Sequence, residues 1–236
     1  MNAELEKIIE QSNAIVLFTG AGISCGSGIP DFRSADGLYN ADSGTKYAPE
    51  EIISHDFLIE RPEIFYAFYK SKMIYPDAKP NSAHVFFAEL EKAGKLKAVV
   101  TQNIDGLHTA AGSKKVYELH GSVYRNYCTK CNKRFGLDYV VRQKGVPMCD
   151  ACGAMVRPDV VLYGESLDED VWSGAAKAVA SADCLIVVGT SLTVYPAANM
   201  LSYFKGRKIV LINKQATPYD GMADLVLHED VEEVLR

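Results

Sequence analysis

Five short apolar runs limit what this chain can fold into. AIVLF at 14–18, AVVT at 98–101, CLIVV at 184–188, KIVLI at 208–212 and DLVL at 224–227 are rich in valine and isoleucine and hardly alternate with polar residues. A strand with one wet face alternates, whereas a continuous apolar run suits a strand covered on both faces, as in a parallel sheet between two layers of helices. Stretches that suit helices, notably 168–182 and 195–205, lie between the later runs. That alternation predicts an α/β fold, a Rossmann-like doubly wound parallel sheet.

Two regions interrupt the alternation. Residues 36–82 are rich in aromatics and read as helical from Pro62 to Ile74, and 122–158 hold four of the six cysteines. Both read as insertions into the sheet, together forming a small domain. The expected division is therefore 1–35, 83–121 and 159–236 for the sheet domain, with 36–82 as the helical insertion and 122–158 as the cysteine module. A chain of 236 residues is long enough for such a principal domain with a smaller one attached.

Cys128-x2-Cys131, 17 residues and Cys149-x2-Cys152 form the most specific motif in the chain. Each Cys-x-x-Cys knuckle presents two thiolates to one ion, and the spacer falls in the zinc-ribbon range. Four thiolates leave no open position, so the metal is expected to staple a subdomain and not to activate water. Neither pair opens a helix after a strand, which disfavours redox dithiols. Cys184 reads as a core residue.

GAGISCGSGIPDFR, Gly20 to Arg33, follows the first run directly, where a glycine-rich turn lets backbone amides approach a pyrophosphate near a helix N-terminus. Its spacing through Gly20, Gly22 and Gly26 is one residue longer than the usual dinucleotide fingerprint, and no acidic residue closes a second strand about 20 residues on. An ordinary tight turn therefore stands beside the phosphate cradle. TQNIDGLH, Thr101 to His108, begins at the end of another run, where open α/β sheets bind ligands. Asn103 and Asp105 are candidates there, although Asn-x-Asp-Gly also suits an Asx turn. His120, in ELHG, ends a short strand-like stretch from Val116 and suits general-base work; a lone histidine is also often structural. His55, His84, His108 and His228 read as surface or packing residues. GTS, Gly189 to Ser191, and Asn213 close two further runs and suit either a ribose or phosphate contact or a helix cap.

A net charge of −5 and a pI near 5.6 offer no footprint for direct nucleic-acid binding. Met1 to Ser12 is charged and helical in pattern, unlike a signal peptide, and no run reaches the length of a membrane span. The expectation is a cytoplasmic protein without membrane partners, its cysteines thiols or metal ligands.

In combination, GAGISCGSGIPDFR, TQNIDGLH, ELHG, the four cysteines, RPDVVLYGE and GTS resemble the sirtuin family in that family's order, from about Ile15 to the C-terminus. The resemblance implies an NAD-dependent protein-lysine deacylase with a structural zinc ion and a cleft for NAD, the co-substrate, and an acyl-lysine protein or peptide. In that chemistry the acyl oxygen attacks the ribose carbon bearing nicotinamide, and deacylated lysine, nicotinamide and O-acyl-ADP-ribose result.

By the same resemblance His120 is similar to the general base. Asn103 matches a residue holding the ribose and a water, and Ile104 with Asp105 matches the nicotinamide pocket. Ala21, Phe32 and Arg33 match the loop that covers the cofactor, with Phe32 shielding the reacting carbon. Thr190, Ser191 and Asn213 resemble the binders of phosphate and adenine ribose, and Asp230 and Val231 lie near the adenine. Gly20, Gly22, Cys25, Asp31, Gln102, Gly189 and Lys214 are expected among the remaining cofactor contacts. Glu229 stands where the family often has glycine. Val160, Val161, Leu162, Tyr163 and Gly164 resemble the segment that pairs with substrate backbone by β-augmentation. Sirtuins that take acidic acyl groups carry Tyr-x-x-Arg before a Pro-Asn-x-x-His segment; here Phe68 and Ser71 occupy those places ahead of Pro80, Asn81 and His84, with Lys72 beside them. Acetyl is therefore the expected acyl group. The rival readings are a sirtuin-like ADP-ribosyltransferase, an NAD-dependent oxidoreductase with a zinc knot, and a zinc-ribbon adaptor without catalysis.

Overall fold

Each continuous apolar run divides its side chains between two cores. In a computed structural model, which describes residues 1–34, 37–40 and 43–236, the strands in chain order are β1 (Ile15–Thr19), β2 (Leu96–Thr101), β3 (Val116–Glu118), β4 (Gly121–Cys128), β5 (Arg134–Phe135), β6 (Val156–Val160), β7 (Cys184–Val188), β8 (Lys208–Ile212) and β9 (Leu225–Leu227). Six of them form a parallel sheet in the order β3-β2-β1-β7-β8-β9. Ile15 and Leu17 of β1 join one core with Cys184, Ile186 and Val188 of β7; Val16 and Phe18 join the other with Leu185 and Val187. Burial on both faces thus replaces polar alternation, and each buried aliphatic side chain contributes about 1.5–3 kcal/mol. A register shift at the start of the β1–β2 pairing places Leu96 opposite Ile15 and Ala98 opposite Val16, so residues two apart face opposite cores.

The helices in chain order are α1 (Ala3–Gln11), α2 (Pro49–Ile52), α3 (His55–Glu60), α4 (Pro62–Lys72), α5 (Ser82–Lys92), α6 (Leu107–Ala111), α7 (Leu137–Arg142), α8 (Glu169–Ala180) and α9 (Val231–Val234). α1, α5 and α9 cover the first core. α8 and a 3₁₀ segment, Ala197–Tyr203, cover the second. The stretch 195–205 is therefore helical in the tighter 3₁₀ form, its Ala197, Ala198, Met200 and Leu201 buried. The glycine-rich turn likewise opens a 3₁₀ helix, Ala21–Ser27, in place of an α-helix.

β4, β5 and β6 form a separate antiparallel sheet. Its side chains share one core with the helical insertion: Phe65, Tyr66, Phe68 and Tyr69 of α4 pack with Val123, Val140, Cys149 and Val156. The Tyr66 hydroxyl donates to the Val156 carbonyl at 2.5 Å, and the Lys70 ammonium donates to the Gln143 and Gly145 carbonyls at 2.6 and 2.8 Å. Two segments distant in the chain are thereby welded into one body. The expected 158/159 boundary falls inside β6, and the expected 35/36 boundary lies outside the described residues.

Candidate active site

The parallel sheet runs β1-β2-β3 one way and β7-β8-β9 the other, which puts a topological switch point beside the carboxyl ends of β1 and β7. A cavity of about 780 Å³ opens there, well within the range of ligand clefts. Every residue expected in the cleft lines it except Asp105, which lines a smaller cavity of about 50 Å³ adjoining Asn103 and Ile104. The two loops at the switch point interlock. Gly20 N–H donates to Val188 O and Gly22 N–H to Gly189 O, at 3.1 and 2.8 Å. A methyl group on Gly20 would stand 2.7 Å from Thr190 Cβ, and one on Gly22 would stand 2.7 Å from Gly189 Cα. These glycines are required by loop-on-loop contact, whatever phosphate they also approach.

His120 follows β3, where Leu119 N–H reaches the Thr101 carbonyl at 2.9 Å. Its Nδ1 lies 2.9 Å from the carbonyl of Gln102. A carbonyl only accepts, so Nδ1 carries the proton and the basic lone pair belongs to Nε2. Burial pushes the imidazole's pKa down, partly offset by the Gln102 carbonyl, which favours a neutral ring able to take a proton. The Gln102 side chain in turn donates to Thr190 Oγ1 at 3.0 Å, joining the ends of β2 and β7.

Asn103, 8% exposed, donates its side-chain amide to Ser24 Oγ at 3.1 Å, and Ser24 donates to Asp105 Oδ2 at 2.7 Å. The other Asp105 oxygen accepts from Leu107 N–H at 2.9 Å, so the Asx turn and the place beside the cleft coexist. Beneath them Thr101 Oγ1 accepts from Asn103 N–H and from Thr19, whose hydroxyl also meets His108 Nε2 at 3.0 Å. His108 and His84 are buried with ring centroids 4.9 Å apart. Both are packing residues, and together they underpin the loop that carries Asn103 and Asp105.

On the opposite wall the segment Val160–Gly164 is strapped into place. Val161 N–H donates to the His120 carbonyl at 3.0 Å, while Tyr163 donates to Ile53 O at 3.1 Å and accepts from His55 N–H at 2.9 Å. Among the described residues no protein group pairs the Val161 carbonyl or the Gly164 N–H. Arg157 grips Glu165 through two nitrogens at 2.6 and 3.0 Å, and His55 Nδ1 meets the same carboxylate at 2.8 Å. At the far end of the cleft Lys214 pairs with Asp230 at 2.8 Å, and Asp230 also caps α9 through Glu232 N–H.

The sulfurs of Cys128, Cys131, Cys149 and Cys152 all lie within 4.8 Å of one another, with 3.3 Å between Cys128 and Cys152 and 3.7 Å between Cys131 and Cys149. Tetrahedral zinc with thiolate bonds near 2.3 Å sets sulfurs about 3.8 Å apart, so the set fits one ion. The N–H groups of Lys130 and Cys131 point at Cys128 Sγ at 3.4 Å, as suits a thiolate.

A family model described as the Sir2 family matches residues 20–196. The chain belongs to the Sir2 family. It is 55% identical over 233 residues to an NAD-dependent protein deacetylase of Clostridium acetobutylicum, covering 98% of this chain and 95% of that one. A protein of the same name from Cutibacterium acnes is 49% identical, with 98% and 95% covered. Among solved structures, a Sir2 complex with a p53 peptide and NAD+ superposes with a TM-score of 0.87 at 41% identity, covering 99% of this chain and 95% of that one. Another, with deacetylated peptide and 3′-O-acetyl-ADP-ribose, reaches 0.90 at 42%, covering 98% and 94%.

Several residues that line this Sir2 cleft escaped the sequence reading: Tyr39, Ile53, Met73, Val194 and Tyr195. Ile53 and Met73 come from the helical insertion, where no strand end or motif marks them. Tyr195 follows GTS closely enough that extending the segment by four residues would have included it.

Proposed function

We propose that the cleft holds NAD and an acyl-lysine peptide side by side, with His120 as the general base, Asn103 holding the ribose and Val160–Gly164 receiving the peptide backbone. The chain is an NAD-dependent protein-lysine deacetylase acting on acyl-lysine protein substrates. One observation carries the proposed roles: the Gln102 carbonyl fixes His120 with its basic Nε2 free, in a cavity shared by the glycine loop and the Val160–Gly164 segment.

NAD, when bound, supplies the glycosidic bond whose cleavage releases nicotinamide, and its ribose carries away the acyl group. The protein's part is to orient and to move one proton. Asn103, held by Ser24, is placed to orient a ribose, and His120 Nε2 is placed to take a hydroxyl proton. Phe32, Arg33 and Ala21 line this part of the cavity, placed to keep water from the reacting carbon. The Val161 carbonyl and Gly164 N–H, unpaired among the described residues, offer an edge to an extended peptide, which reads backbone and tolerates varied sequences. Thr190, Ser191, Asn213 and Lys214 are assigned to phosphate and ribose.

The cysteine set would hold one zinc ion, which contributes folding energy to the small domain. Within the reading the domains divide at 1–35, 83–121 and 159–236 against 36–82 and 122–158. A cytoplasmic location belongs to the same reading; the cysteine thiols converge as ligands, as suits a reducing compartment, and no helix among the described residues is long and apolar enough to cross a membrane.

The test is mass spectrometry of NAD and an acetyl-lysine peptide after incubation with wild type and with His120→Ala. Wild type is expected to yield nicotinamide and O-acetyl-ADP-ribose. The variant should lose about 10²–10⁴-fold in rate while keeping zinc and fold. A variant within threefold of wild type removes His120 from the role.

A further inference from the structure

Tyr163 stands on a rigid post. Its backbone is bonded on both sides to the helical insertion, through Ile53 and His55, and the next ionisable residue along, Glu165, is clamped by Arg157. From this post its hydroxyl crosses to the hydroxyl of Tyr39, 2.6 Å away. Tyr39 belongs to the loop that follows the glycine-rich turn, and with Phe32 it packs against the core that also holds Ile53, Val160 and Leu162. Its N–H donates to the Phe32 carbonyl at 2.9 Å, its ring meets the Phe32 ring edge-on at 5.4 Å between centroids, and the Arg33 guanidinium lies over it at 5.4 Å. One ring therefore holds both side chains that close over the cavity.

We propose that the Tyr39–Tyr163 hydroxyl pair is a positioning latch: it ties the loop carrying Phe32 and Arg33 to the segment Val160–Gly164, so that the loop's hold on NAD depends on the wall that receives the peptide. The proposal rests on the reading of the loop as the cover for NAD. Three features support it. The two tyrosines belong to segments distant in sequence, both residues line the same cavity, and each hydroxyl is the other's only side-chain hydrogen-bond partner among the described residues. A tyrosine ring alone would fill the space equally well as phenylalanine, so packing gives no reason for either hydroxyl. Neutral hydrogen bonds contribute a factor of about two to ten in an equilibrium, and that is the size of effect the latch can exert.

The experiment is a double-mutant cycle of Tyr39→Phe and Tyr163→Phe in the zinc-loaded protein, measuring KM for NAD, KM for an acetyl-lysine peptide, kcat and thermal midpoint. Each single variant is expected to raise the NAD KM about two- to tenfold, more than it moves the peptide KM and with the thermal midpoint unchanged, and the double variant is expected to be no worse than the more affected single one. An unchanged NAD KM in the single variants, an effect confined to the peptide KM, or effects that multiply in the double variant would each overturn the latch. Phe32→Ala and Arg33→Ala separate the two levels. If they too leave the NAD KM unmoved, the reading of the loop as cover fails; if they raise it while the tyrosine variants do not, only the latch fails.

Discussion

On the sheet side of the cleft the supporting side chains beneath Asn103 are neutral and buried: Thr19, Thr101, His108 and His84, linked by hydroxyl and ring nitrogen. On the side facing the helical insertion the supports are charged and closer to water: Arg157 with Glu165, flanked by a half-exposed His55. Burial decides the difference. Between two helical layers a charge would lose its hydration without repayment, so the polar groups there stay neutral. Near the cleft's lip a guanidinium and a carboxylate meet through two parallel bonds and keep some solvent. Burial, then the neighbouring His84, push the His108 imidazole down to about 3. For Glu165 burial acts upward, but the bonds from Arg157, Leu162 N–H and His55 overcome it and hold the carboxyl at about 2.

The strongest way to break the contrast is to remove the metal. Cys128→Ser or Cys149→Ser should release zinc and collapse the insertion side, because structural zinc sites supply on the order of 10 kcal/mol of folding energy. Metal content beside thermal unfolding is the measurement; a zinc-free variant with wild-type midpoint and activity refutes the assignment. Since Cys128 and Cys149 also belong to the core shared with α4, the damage should spread to the helical insertion and to the Ile53–Tyr163 contact.

A subtler test titrates the two sides with acid. The folded-state pKa of His108 lies below its unfolded value, so the unfolded chain takes up the proton first and stability falls as pH drops from about 6.5 towards 3. Glu165 is also depressed, so its contribution is complete above about 4.5 and is lost as pH falls towards 2. Urea unfolding across this range should therefore show stability declining first through the histidine window and then through the carboxylate window. In Glu165→Gln the second decline should shrink by on the order of 2 kcal/mol, after allowance for the solvent reaching its oxygens. An unchanged acid profile in that variant would show that the clamp does not stabilise the fold.

The smallest expected effect concerns the acyl group. Phe68 is 3% exposed in the core, and the Ser71 hydroxyl is taken by the carbonyls of Ala67 and Phe68 at 2.8 and 3.1 Å, so neither offers a partner to an acyl carboxylate. Lys72, by contrast, lines the small cavity beside Asn103 and Ile104, together with Tyr75. On one peptide, acetyl-lysine should exceed succinyl-lysine by about tenfold or more in kcat/KM, since an unpaired carboxylate pays for its desolvation. Equal values would assign Lys72 as the cation that meets the carboxylate, and Lys72→Met would then restore the preference.

Much of this was legible along the chain because the signals are local. Strands β7 and β8 coincide with the runs read from the sequence, as β-branched residues buried on both faces leave no other pattern. The zinc cysteines could be assigned because each knuckle is a contact between residues three apart. His84 and His108 were less legible: nothing near either residue tells that they meet beneath Asn103, 24 positions apart in the sequence. Tyr39, Ile53 and Met73 gave no signal at all, for their place at the cleft depends on how the helical insertion packs against the cysteine module.

By itself, then, the sequence determined the doubly wound sheet, the metal knuckles, the loops at strand ends and the membership of one family, since these rest on periodicity, spacing and short motifs. Only the tertiary structure decided which nitrogen of His120 is basic, why Gly20 and Gly22 admit no side chain, and that Tyr39 reaches Tyr163. Each of those depends on a partner far along the chain: a carbonyl at Gln102, the loop at Gly189, a hydroxyl 124 residues away. Hydrogen bonds and close contacts act over a few ångströms, and the fold alone brings such partners that near.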